Sequence, residues 1–159
     1  MSVWEPRERQ KFLKAVGSSD DPMAADWMDS APQEMSVIHF ARQPASVRVD
    51  DYLVYYAAGW GKLIGVVRVF AKPAFDAQLG RWPYVAPIRP LLMIRDFSRA
   101  PAVDVLNVAG GRDFRRTVMQ MDYALLEDAE YERAALALRG SVDVSRGDFL
   151  EGGLVPGAP

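Results

Sequence analysis

A chain of 159 residues, half of them apolar and a quarter charged, is long enough to bury a core and reads as one soluble globular domain. The absence of cysteine and the single histidine exclude disulfides, thiolate metal sites and cysteine nucleophiles, and they fit a reducing, cytoplasmic compartment. The net charge of -2 hides an uneven spread of -3 over residues 1–61, +6 over 62–116 and -5 over 117–159. The basic middle can therefore meet a polyanion locally, because charges act mainly within about a Debye length (~8–10 Å). The same cations also suit a solvated surface.

The first sixteen residues lack a basic start followed by an apolar run, and no stretch reaches membrane-spanning length. Pro6–Val16 reads as a short helix, with proline at its first position, Phe12, Leu13 and Val16 on one stripe, and Gly17 as the stop. Residues 18–35 hold five acids, no base and two prolines, which predicts a capping segment anchored by Trp27 and Met28. Ser36–Arg42 reads as a strand.

Residues 47–70, VRVDDYLVYYAAGWGKLIGVVRVF, organise the rest. Tyr52–Ala57 and Leu63–Phe70 are aromatic and β-branched runs, and Gly59 and Gly61 between them supply the positive φ of a tight hairpin with Trp60 at its tip. Pro83–Ile94 reads as a strand whose prolines place it at a sheet edge or a bulge. Residues 95–112 predict a short strand or turn, Thr117–Tyr123 an alternating half-buried strand, and Glu127–Arg139 an amphipathic helix with acids in its first turn. About five strands, mostly in succession, and two helices give an α+β fold: a small, partly closed, mostly antiparallel β-barrel flanked by helices. The expected organisation is an N-terminal helix and acidic cap over 1–35, the barrel over 36–140 and a tail over 141–159.

No phosphate loop, dinucleotide glycine pattern, serine elbow or clustered metal-ligand set is present, so neither a catalytic residue, a metal site nor a cofactor is expected. A hydrolase would have to rest on His39 alone. The aromatic residues carry more. Trp60, Tyr55, Tyr56 and Trp82 lie near arginines or lysines in the sequence, and aromatic faces stack on nucleobases while cations neutralise phosphates. Tyr52, Val54 and Tyr56 share a strand face and also fit a core. Arg115 and Arg116, in the run RDFRR, suit a backbone phosphate or a solvated surface equally.

The run VDDYLVYYAAGWGKLIGVVRV, followed by RWPYVAPIRPLLMI and by Leu126-Glu127-Asp128-Ala129-Glu130-Tyr131, resembles the EVE domains, relatives of the YTH and ASCH domains in the PUA-like superfamily. Asp50 stands where that family has glycine, and the early strand Val37-Ile38-His39-Phe40 lacks the family's tryptophan. The resemblance covers residues 36–139. It implies a PUA-like barrel with a concave pocket that admits one base, and a non-catalytic reader of DNA or RNA, of a modified base in particular. On that pattern Tyr56, Trp60 and Trp82 form an aromatic cage, His39 touches a base edge, and Arg115 and Arg116 hold phosphates. The alternative is an interaction module, in which the acidic segments dock a protein partner or a second copy as a homodimer.

Overall fold

The computed structural model describes residues 9–18, 20–107, 113–114, 117–118 and 122–151. Among them, eight strands form one mixed sheet: β1 (Lys11–Val16), β2 (Val37–Phe40), β3 (Tyr52–Ala57), β4 (Lys62–Val69), β5 (Ala74–Phe75), β6 (Tyr84–Met93), β7 (Tyr123–Leu126) and β8 (Phe149–Leu150). The path runs β2-β6-β4-β3-β1-β7, with β5 and β8 added along β6. Only β1 and β3 are parallel; the other ladders are antiparallel. Helices α1 (Trp27–Ser30) and α2 (Asp128–Ser141) complete an α+β fold on a curled sheet, a half-barrel. No helix among the described residues is long and apolar enough to cross a membrane.

The hairpin β3–β4 forms as its sequence dictates. Gly59 and Gly61 take φ of 85° and 70° at the turn. Asp50 enters the hairpin at φ 71°, a conformation that glycine adopts without strain, while the buried Asp51 carboxylate accepts from the backbone N–H groups of Gln10 and Arg48, both at 2.9 Å. β6 accommodates its prolines in two ways. The ladder to β4 shifts by one residue beside Pro90, and Pro87 sits where β6 leaves β2 to pair with β4. α2 starts with a reciprocal capping box between Glu127 and Glu130 and buries Tyr131, Ala134, Ala135 and Leu138 against the sheet.

Two elements differ from the sequence expectation. Lys11–Val16 is a strand between β3 and β7, so part of the segment assigned to an N-terminal helix belongs to the sheet. Its apolar stripe at helical spacing is short enough to fit either period, and partners on both sides decide the outcome. Thr117 and Val118 are helical, with Thr117 N–H donating to Asp113 O at 3.0 Å; residues 119–121 of the expected strand lie outside the described residues, and Tyr123 opens β7. The region assigned to a tail is tied down as far as it is described. β8 pairs with β6, and the buried Asp148 accepts two bonds from Arg99, at 2.8 and 3.0 Å, and one each from the Arg95 and Asp143 backbone N–H groups.

The sheet path has two ends, β2 and β7, and curling brings them together. Tyr123 of β7 packs edge-on against Phe40 of β2 at 5.7 Å between ring centroids. Asp122, just before β7, sits at φ 70° with its polar groups engaged. Its carboxylate accepts from Lys14 Nζ on β1 at 2.9 Å and from the backbone N–H of Ala41, just past β2, at 3.1 Å. Its carbonyl accepts from Ala15 N–H at 2.9 Å. One side chain thus stitches β1 to the end of β2, where no ladder joins them.

Candidate functional site

Above that seam lies a cavity of about 330 Å³. Its floor is Lys14, Ala15 and Val16 of β1; one wall is Ile38 and His39 of β2 with Trp82, which precedes β6. The roof is the acidic segment: Asp21, Pro22 and Met23 in a turn, then Trp27 on α1 and Glu34 on the 3-10 turn that follows. The volume is at the small end of the range for ligand sites, about 300–1,000 Å³.

The roof is held in place by glycines and by a tryptophan. Gly17 leaves β1 at φ 74°, and a Cβ there would stand 3.0 Å from Met23 N. A Cβ on Gly59, at the hairpin tip, would come within 2.8 Å of Pro22 Cβ. Both positions need glycine for two reasons at once, the left-handed backbone and the close approach. Trp60, between the hairpin glycines, donates its indole N–H to Met23 O at 2.9 Å and meets Phe97 edge-on at 5.2 Å. It is 39% exposed but does not line the cavity. Its observed contacts are with Met23, on the strap 20–26 that carries the roof, and with Phe97.

The other expected site residues divide. His39 and Trp82 reach the cavity. Tyr56 does not: it is 3% exposed and shares the face of β3 on which Tyr52 stacks against Tyr131 of α2. It is a core residue on the opposite side of the strand. Arg115 and Arg116 lie outside the described residues.

Sequence reasoning missed Lys14 and Glu34, and it read Trp27 only as an anchor. Lys14 is buried, and burial lowers its pKa from the ordinary lysine value, with the Asp122 carboxylate acting against that shift. Its ammonium also lies 5.0 Å from the Phe40 ring centre. Tyr55 is its register partner on β3 and shares its face. The Tyr55 hydroxyl is buried without a hydrogen-bond partner among the described residues; burial first, and the Glu34 carboxylate second, raise its pKa. The Trp27 indole N–H is likewise buried and unpartnered among them. The available signal was the lysine inside the apolar run KFLKAV, which a solvated helix face explains as easily as a paired buried charge.

The electrostatic balance of the cavity is negative. Lys14 is matched by Asp122, which lies outside the cavity lining, whereas Asp21 and Glu34 line it and have no ion-pair partner among the described residues. Arg81 stacks on Trp82 with its guanidinium carbon 4.8 Å from the ring centre.

No protein-family model matches the chain, and no curated protein matches it. Solved structures do share its fold. Protein Atu2648 from Agrobacterium tumefaciens superposes with a TM-score of 0.54 at 15% identity, over 80% of this chain and 92% of that one. A hypothetical protein from Leishmania major gives 0.51 at 12% identity, over 79% and 91%. At these identities the likeness is one of fold.

Proposed function

We propose that the protein is a non-catalytic, PUA-like module that reads a single flipped-out base in DNA or RNA. The observation that carries this reading is the seam cavity, sized for one small planar ligand and lined by two tryptophans together with His39 and Glu34. Extruding a base from a stack costs a few kcal/mol, which stacking on aromatic faces and hydrogen bonds to the base edge can offset. Trp82 takes the stacking role here, and His39 and Glu34 the base edge. Arg81, stacked on Trp82, is the cation that would meet a phosphate.

Intrinsic tryptophan fluorescence titrated with short oligonucleotides, with and without modified bases, tests the reading. Stacking on one aromatic side chain is worth about 1–3 kcal/mol per base. Trp82→Ala is expected to weaken binding by roughly fivefold to a hundredfold while the chain stays folded. Trp60→Phe, which keeps a ring but loses the bond to Met23 O, is expected to weaken it only a few-fold by loosening the roof. A folded Trp82→Ala variant that binds every oligonucleotide as the parent does would sink the proposal.

A further inference from the structure

The charge on the cavity wall carries the base-reader reading one step further, to the class of base. We propose that the site discriminates by charge and takes a ring-alkylated, positively charged base ahead of its neutral parent. The inference rests on the proposed base-reading role and on three observations that are independent of it.

The first is the pairing of Lys14. Its ammonium faces Asp122 at 2.9 Å and the Phe40 ring, so the cation in the cavity floor is already neutralised and is unavailable to an anionic ligand. The second is the placement of Asp21 and Glu34, two exposed acidic residues on the lining with no ion-pair partner among the described residues. Glu34, itself exposed, also acts electrostatically on the buried Tyr55 hydroxyl beneath the roof. The third is Trp82 on the same cavity, an indole that already holds one flat cation, the Arg81 guanidinium, 4.8 Å from its ring centre, while Trp27 on the same lining is only 3% exposed. An indole face is the strongest aromatic partner for a cation, contributing about 0.5–1 kcal/mol when exposed and about 2 kcal/mol or more when desolvated. Alkylation of a ring nitrogen gives a purine or pyrimidine a delocalised positive charge and keeps it flat. Such a ring satisfies the Trp82 indole and the carboxylates together, whereas a neutral base gains nothing from their charge. The phosphates of the same strand are repelled by Asp21 and Glu34, which favours entry of the base alone.

The test is calorimetric titration of the full chain with three pairs of nucleosides: 7-methylguanosine against guanosine, 1-methyladenosine against adenosine, and 3-methylcytidine against cytidine. At least one cationic member is expected to bind about tenfold or more tightly than its neutral parent. Asp21→Asn is expected to lower that ratio several-fold while leaving the affinity for the neutral nucleoside unchanged, whereas Glu34→Gln, at a residue that also meets the base edge, is expected to lower both the ratio and the affinity for the neutral nucleoside. Equal affinities within all three pairs would overturn the proposal, as would a ratio that persists in the double variant. Tetramethylammonium binding as tightly as the cationic nucleosides would also overturn it, since the ring would then be irrelevant. These failures are separate from failure of the base-reader reading, in which neither nucleosides nor oligonucleotides bind and Trp82→Ala changes nothing.

Discussion

In the middle of the sheet, β3 and β4 bring Leu53, Val54, Ile64, Val66 and Val67 together with no exposed surface, whereas the seam between β1 and β2 buries Lys14 against Asp122 beside a cavity. The middle is stabilised by area: each buried aliphatic side chain contributes about 1.5–3 kcal/mol and needs no particular partner. The seam is held by specific atoms. No ladder joins β1 to β2, so the strand-end amides that curling brings there must find other acceptors, and the Asp122 carboxylate and carbonyl supply them to Ala41 and Ala15. A region held by a few directed bonds can leave room beside them, while a close-packed apolar layer cannot. The cavity therefore lies at the seam.

That contrast breaks most visibly at Asp122. Asp122→Ala strands a buried ammonium, leaves the Ala41 N–H without its acceptor, and puts alanine, which tolerates left-handed φ less well than aspartate, at φ 70°. A loss of about 3–5 kcal/mol is expected from the orphaned charge. Leu53→Ala in the middle should lose a comparable 2–5 kcal/mol by creating a void. Ligand affinity separates the two, measured after each variant is shown to be folded: Asp122→Ala should also weaken binding, because the cavity floor shifts with Lys14, and Leu53→Ala should leave it near the parent value. Urea unfolding and a fluorescence titration on the same samples decide the matter. Equal binding by both variants would mean that seam and cavity are not coupled.

A smaller effect is expected at the hairpin tip. Gly59→Ala places a Cβ at φ 85° and within 2.8 Å of Pro22. The left-handed backbone alone costs roughly 1–2 kcal/mol, and the contact pushes on the strap that carries Met23 and the roof. The expected outcome is a stability loss of that order with a several-fold loss of affinity. Unchanged affinity would show that the roof moves independently of the hairpin.

The same division governs how much was legible from the sequence. β3, β4, β6 and α2 declare themselves locally through aromatic and β-branched runs, paired glycines, prolines with a bulge beside them, and acids in a first helical turn. β1 does not, because Phe12, Leu13 and Val16 satisfy a helical stripe as well as a strand, and its parallel partner β3 lies some forty residues further on. That one misreading hid Lys14, since a lysine on a helix suggests solvent. His39 and Trp82 were within reach as polar and aromatic residues beside strands. Trp60 drew attention for the right physical reason, its flanking glycines, but those glycines serve the approach of Pro22 and the bond to Met23. Glu34 had no local signal at all, because only the folding of the acidic segment over β1 and β2 puts it on the cavity.

The smallest effect sharpens the comparison from inside the half-barrel. The Tyr55 hydroxyl is buried without a partner among the described residues, and its pKa is raised by burial first and by Glu34 second. Tyr131, on the buried face of α2, is raised as well, mainly by burial. A phenol with a raised pKa keeps its proton in the folded chain while the unfolded chain releases it near the ordinary value of 10.0. The folded state then holds more protons, so this contribution is fully present below about pH 10 and is lost as the pH rises beyond it. Lys14 acts the other way. Its pKa is lowered, the unfolded chain holds more protons as the pH approaches the ordinary 10.5, and stability from this group rises with pH up to that point. Tyr55→Phe should therefore leave stability at pH 7 unchanged or raise it by up to about 1 kcal/mol, because an unpaired buried hydroxyl is removed. It should also make the loss above pH 10 shallower, with Tyr131 supplying the remainder. Urea unfolding at pH 7, 9 and 10.5 measures both effects. A variant less stable than the parent at pH 7 by more than about 1 kcal/mol would mean that the hydroxyl is hydrogen-bonded in solution, and the interior beneath the cavity would then have to be wet.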